Sequence, residues 1–130
     1  MTEAAGSRRS PGEALGREQR LIRSALFREA YDQGRRQFGR CMVLWLRAGE
    51  GAALRLGVVT GRKVGEAVER NRARRRLREV YRRNRHLFGG PWDVVLVGRR
   101  AALEASWEDL SAELLSLARK AGLVRDAEGK

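Results

Sequence analysis

Between Val68 and Arg85 the chain reads VERNRARRRLREVYRRNR, with nine arginines and two acids. No other segment constrains the fold so strongly. Stepping about 100° per residue puts Ala73, Leu77, Val80 and Tyr81 on one arc. Arg72, Arg74, Arg75, Arg76, Arg78, Arg82 and Arg83 spread over the rest. A tail has no reason to keep apolar residues on one side. The run therefore predicts an amphipathic helix over about 66–85, with its apolar arc against a core. Arg70 falls near that arc, which predicts a snorkelling side chain or an irregular first turn. Glu79 is the only acid between Arg70 and Arg85. Solvated faces mix signs, whereas here Arg74–Arg78 and Arg78–Arg82 repel one helical turn apart. A polyanion partner resolves that repulsion.

Composition agrees. At 130 residues, the chain is expected to form one domain, and 42% hydrophobic residues suffice for a modest core. The formal net charge is +12 and the sequence pI about 11.4. Such an imbalance points to a polyanion partner. Of the 28 basic residues 25 are arginine, the side chain suited to bidentate phosphate contacts and to stacking on bases. Cys41 is the one cysteine, so no intramolecular disulfide or Cys-based metal site can form. That fits a reducing, cytoplasmic setting. No apolar run reaches the ~18 residues of a membrane span, and no signal-peptide pattern opens the chain, so no membrane partner is expected.

Residues 1–16, broken by Pro11 and Gly12, read as a disordered tail, and 124–130 as another. The domain is expected over 17–123. RSALFREAYDQG predicts a short helix capped by Ser24 and ended by Gly34, with Leu26, Phe27, Ala30 and Tyr31 at helical spacing. RCMVLWLR, 40–47, reads as a strand covered on both faces: Met42, Leu44 and Leu46 on one, Cys41, Val43 and Trp45 on the other. AGEGA then reads as a hairpin loop and LRLGVVT, 54–60, as the return strand. WDVVLVGR predicts a buried strand after the FGGP turn. Ser106 and Asp109 open a last helix with the stripe Leu110, Leu114 and Leu117, and Gly122 closes it. The sum is a small α+β sandwich with one sheet.

GRKVGEAVERNRARRRLREVYR, 61–82, resembles the signature of the bacterial ribonuclease P protein component. Its central element appears as Arg70-Asn71-Arg72, preceded by Arg62-Lys63-Val64-Gly65. The resemblance extends over roughly 20–121, including RLIRSALFREAYDQGRR, WDVVLVGR and the final helix. Two positions depart from the family pattern: Ala73, where a larger aliphatic is usual, and Gly61, where serine is usual. The resemblance implies a four-stranded sheet with three helices and a left-handed crossover through the arginine helix. It implies a subunit that binds a catalytic RNA and the 5′ leader of precursor tRNA, while that RNA cleaves the leader. Residues implied to contact the catalytic RNA are Arg62, Lys63, Arg70, Asn71, Arg72, Arg74, Arg75 and Arg78. Those implied to line the leader cleft are Phe27, Tyr31 and Trp45; the groove they line is expected to have a basic rim that includes Arg28, Arg35, Arg36 and Lys63. Mg2+ is implied as a cofactor held mainly by the RNA.

The chemistry of the residues fits that division. Guanidiniums suit the phosphates of folded RNA, and aromatics suit unpaired bases. Phe27 and Trp45 also suit an ordinary core. No catalytic residue is expected: His86 stands alone, and Glu66 and Glu69 suit a helix N-terminus better than a metal. No phosphate-binding glycine pattern suggests a small-molecule substrate. Three other readings stay open: a general RNA-binding or ribosome-associated protein, a DNA-binding regulator, and a self-sufficient nuclease. The second lacks a helix-turn-helix pattern and the third lacks clustered acids.

Overall fold

A computed structural model describes residues 24–124. The expected tail over 1–16 and residues 125–130 lie outside them. Val124, expected within the second tail, pairs with Phe88 in an isolated antiparallel bridge.

Helix α1 covers Ser24–Gln33 and buries Leu26 and Ala30, one turn apart. Gly34 stops it with a left-handed φ of 71°. Strands β1 (Arg35–Phe38), β2 (Met42–Ala48) and β3 (Leu56–Thr60) follow. The arginine run forms helix α2, Ala67–Asn84, burying Ala73, Leu77, Val80, Tyr81 and Asn84. Strand β4 is Trp92–Gly98, and helix α3 is Trp107–Ala121. As expected, Ser106 Oγ accepts from the Asp109 N–H at 3.0 Å, and Gly122 ends α3. The sheet order is β1-β2-β4-β3. β2 pairs antiparallel with β1 and β4, and β3 pairs parallel with β4. The result is an α+β fold, a mixed four-stranded sheet with three helices.

Two expectations are corrected. β3 does not return against β2: β4 lies between them, in register from Met42↔Gly98 to Ala48↔Trp92. Nor does the sequence reading place a strand at Arg35–Phe38, which is β1. That strand is an exposed edge with only Gln37 half-buried, so it carries no alternation to detect.

The displaced hairpin has a physical cause at Asp93, which is fully buried. Its Oδ1 accepts from the Ala53 and Arg55 N–H groups and from Arg55 Nε, each at 3.1 Å. Its Oδ2 accepts from Arg47 Nη1 and Arg55 Nη2, each at 2.8 Å. Between these donors, the Leu54 N–H bonds the Trp92 carbonyl at 2.5 Å, and Tyr81 Oη donates to the Leu54 carbonyl at 3.0 Å. Segment 53–55 is thus fastened to the start of β4, and β3 continues parallel to it. A tight β2–β3 hairpin would leave the Asp93 carboxylate buried without these donors.

The two sheet faces differ. Met42, Leu44, Leu46, Leu56, Val94 and Leu96 meet Leu77, Val80 and Tyr81 of α2 and Leu110, Leu114 and Leu117 of α3 in the main core. Across the sheet, Leu26 and Ala30 of α1 pack on Val95, with Phe27, Trp45, Val59 and Val97 at the margin. Helices α2 and α3 therefore cover most of one face, and among the described residues α1 covers the other in part.

Asp93 also sets an acid limit. Burial would raise its pKa, but the Arg55 hydrogen bond and the two backbone N–H groups outweigh burial and hold it below the ordinary value. A depressed folded pKa means the stabilisation is complete above about pH 4 and is lost as pH falls through the folded value. Asp93→Asn should cost about 3–5 kcal/mol at pH 7, because Arg47 and Arg55 lose the fully buried carboxylate they share. Urea unfolding followed from pH 7 downward should show the gap between the two proteins narrowing below about pH 4.

Candidate nucleic-acid interface

The arginines of α2 sort by what holds them. Arg76 turns inward and donates to the Ala102 and Ala105 carbonyls at 2.5 and 2.6 Å. Burial and then the Arg72 charge lower its pKa. Its guanidinium also lies 4.7 Å from the Trp107 ring centre, with that of Arg83 at 5.1 Å. Glu79 takes Arg82 at 2.5 Å and Arg83 at 2.9 Å. Arg82 is the main cause, and with it Arg83, that pulls the Glu79 pKa down to about 2. Arg74 donates to Thr60 Oγ1 at 2.7 Å and to the Asn71 side chain. Arg70, placed near the apolar arc, reaches back to the Gly65 carbonyl at 3.0 Å, which is the snorkelling alternative. Arg78 is half-buried.

Arg72 and Arg75 are exposed and make no hydrogen bond or ion pair within the described residues. With Arg76, Glu79 and Trp107 they surround a notch of about 470 Å³ between α2 and α3. Arg62 and Lys63 lie elsewhere, on a 3-10 turn after β3. With Arg99, Arg100, Val64 and Val97 they line a depression of about 500 Å³ at the ends of β3 and β4. Gly65 beside it has a φ of 145°, a backbone conformation that other residues rarely adopt. Glu69 Oε1 accepts from the Glu66 N–H at 2.9 Å and Oε2 from Arg100 at 3.4 Å, so it is engaged at the helix start. Among the described residues no three metal-ligating side chains cluster.

The second surface is the margin of α1. Tyr31 and Trp45 meet edge to face at 4.9 Å, and Tyr31 is 37% exposed. Phe27 is half-buried and packs on the small core beneath α1. Arg36 lies 5.3 Å from the Trp45 ring centre. Arg28 is exposed on α1. Arg35 departs from the expected rim. Strand alternation turns it to the opposite face, where it lies 4.6 Å from the Trp92 ring centre. Lys63 does not join Arg36; the depression it lines reaches the α1 face through Val97.

Comparison with known proteins decides the family. The family model described as Ribonuclease P matches residues 15–122. The chain is 38% identical over 110 residues to the ribonuclease P protein component of Desulfovibrio desulfuricans, covering 82% of this chain and 85% of that protein. It is 35% identical over 115 residues to that of Chloroflexus aggregans, covering 88% and 85%. The chain belongs to the ribonuclease P protein family. Its relatives are protein subunits of a ribonucleoprotein endonuclease that processes tRNA. Among solved structures, the Thermotoga maritima RNase P protein is similar with a TM-score of 0.67 at 28% identity, covering 77% of this chain and 96% of that one. The Staphylococcus aureus RNase P protein shares the fold with a TM-score of 0.70 at 22% identity, covering 82% and 98%.

Of the residues expected to bind, Arg72 and Arg75 line the α2–α3 notch, Arg62 and Lys63 the strand-end depression, and Phe27, Tyr31 and Trp45 the α1 margin, whereas Arg70, Asn71, Arg74 and Arg78 line neither the notch nor the depression. Arg99, Arg100 and Trp107 escaped the sequence reading. The first two follow a strand end and look like loop charge; Trp107 sits at the first position of α3 and looks like core. The small Ala73 is fully buried beside Val64 and Leu103, so the 3-10 turn and the strand-end loop close over it.

The division between inward and outward arginines is measurable. Arg76→Ala should destabilise by about 1–3 kcal/mol, because two carbonyls lose their donors. Arg72→Ala should stay within about 0.5 kcal/mol of the parent, as an exposed change away from any bond. Thermal or urea unfolding of the two variants checks the contrast.

Proposed function

We propose that this chain binds the catalytic RNA of ribonuclease P through α2 and the strand-end depression, and binds the 5′ leader of precursor tRNA along the α1 margin. Arg62, Lys63, Arg70, Asn71, Arg72, Arg74, Arg75 and Arg78 serve the first role. Phe27, Tyr31 and Trp45 serve the second. The RNA performs the cleavage, with Mg2+ held mainly by its phosphates, and the setting is the cytoplasm.

The observation that carries this reading is the exposed pair Arg72 and Arg75 on α2, across the sheet from the Tyr31–Trp45 pair. One protein thus offers phosphates a rigid cationic row and offers unpaired bases an aromatic margin. Hydrolysis at a chosen phosphodiester needs a positioned nucleophile, usually with metal ions. His86 is exposed on a 3-10 turn after α2, outside both surfaces. The protein's contribution is then positional and electrostatic: it screens two polyanions and holds the leader so that the scissile bond meets the RNA's reactive centre.

Reconstitution tests the reading. Catalytic RNA, precursor tRNA and this protein together should cleave correctly at low magnesium, where RNA alone fails. Correct cleavage by RNA-free protein through every purification step would overturn it; binding to many RNAs without any gain in cleavage would favour a general RNA-binding protein.

Charge reversal at Arg72 and Arg75 together should weaken binding of the catalytic RNA. It should also lower the slope of log affinity against log salt by about two phosphate contacts. Filter binding across a salt series, with circular dichroism to confirm folding, reads both effects.

A further inference from the structure

Phe38 is the most exposed Phe, Tyr or Trp among the described residues, at 62%. It is the last residue of the edge strand β1 and faces Val43 across the pair, while Arg36 faces Trp45. Paired residues share a sheet face, so Phe38 and Arg36 stand on the face that α1 covers only in part. The Arg36 guanidinium lies 5.2 Å from the Phe38 ring centre and 5.3 Å from that of Trp45. Trp45 in turn meets Tyr31 at 4.9 Å. Four side chains thus form one continuous ladder from α1 to the edge of the sheet: ring, ring, guanidinium, ring.

A single exposed apolar side chain needs no explanation. Phe38 differs because its neighbours repeat the chemistry of single-strand binding, a cation between aromatic platforms. We propose that the ladder extends the leader site, and that Phe38 with Arg36 holds one further unpaired nucleotide of the leader, beyond those at Tyr31 and Trp45. The base stacks on Phe38, and Arg36 bonds the adjoining phosphate. This rests on the leader-binding reading above. Charge favours this occupant over a second copy of the chain. β1 offers an open strand edge, but Arg35, Arg36 and Arg40 flank it in a protein of net charge +12.

The test uses holoenzyme reconstituted with the catalytic RNA and precursor tRNAs of graded leader length. With the parent protein, affinity should rise with leader length and then level off. Phe38→Ala should remove the last part of that rise, a loss of about fivefold or more for long leaders only. Trp45→Ala should weaken long and short leaders alike. An abasic nucleotide at the leader position where the rise ends should reproduce the Phe38→Ala loss in the parent and add nothing in the variant. Equal affinity of Phe38→Ala and parent at every leader length would overturn the proposal. So would sedimentation showing a parent dimer that Phe38→Ala dissolves, with leader binding unchanged. If the parent itself shows no dependence on leader length, the leader-binding reading fails and this inference fails with it.

Discussion

The carboxylate of Asp93 sets the topology of this protein. A buried charge is tolerated only when its lone pairs are filled, and here Arg47, Arg55 and two backbone N–H groups fill them. Those donors come from both sides of β4: Arg47 from β2 and segment 53–55 from the approach to β3. One side chain therefore places β4 between two strands that are successive in sequence. Arg47 extends the tie by donating to Glu29 of α1 at 2.7 Å, so the same network also seats the first helix.

From that placement the two proposed RNA-binding surfaces follow. With β4 central, α2 must cross from β3 over the covered face, and its apolar arc closes on Leu44, Leu56 and Leu96. The arginines at right angles to that arc are turned to solvent or to α3. Among the described residues, the opposite face receives only α1, which is too narrow to cover four strands. Val59 and Val97 are left half-buried, and Arg36 and Phe38 stand beyond the helix altogether. A fully packed sandwich would have no such margin.

Much of this was legible in the residues. Helical period gave α1, α2 and α3, with Ser106 and Gly122 marking the ends of the last. Leu77, Val80 and Tyr81 are buried as their arc requires. Strand order was not legible, because the 49–55 loop has hairpin composition and the deciding contact is long-range: Asp93 is 38 residues from Arg55. β1 was missed since an edge strand with no buried face has no alternation. The site was legible by type but not by place. Eight arginines on one helix announce a polyanion, yet nothing local says that Arg76 turns inward to two carbonyls while Arg75 stays in water. That depends on where the 3-10 turn Arg100–Leu103 comes to rest.

The cations that hold the fold and those that face solvent differ in how salt reaches them. Arg47 is 4% exposed and its carboxylate partner 0%. Mobile ions do not enter such a pair, so its strength is nearly independent of ionic strength. Arg62, Lys63, Arg72 and Arg75 are exposed, and their field is screened within about 8 Å at physiological salt. Raising salt should therefore weaken RNA binding steeply while leaving urea stability flat or slightly higher, because it also screens the self-repulsion of a chain with net charge +12. Parallel salt series of RNA affinity and of the unfolding midpoint measure the two responses on one protein. A fold whose stability fell with salt as fast as its affinity would mean that the surface arginines, and not the Asp93 network, hold the sheet together.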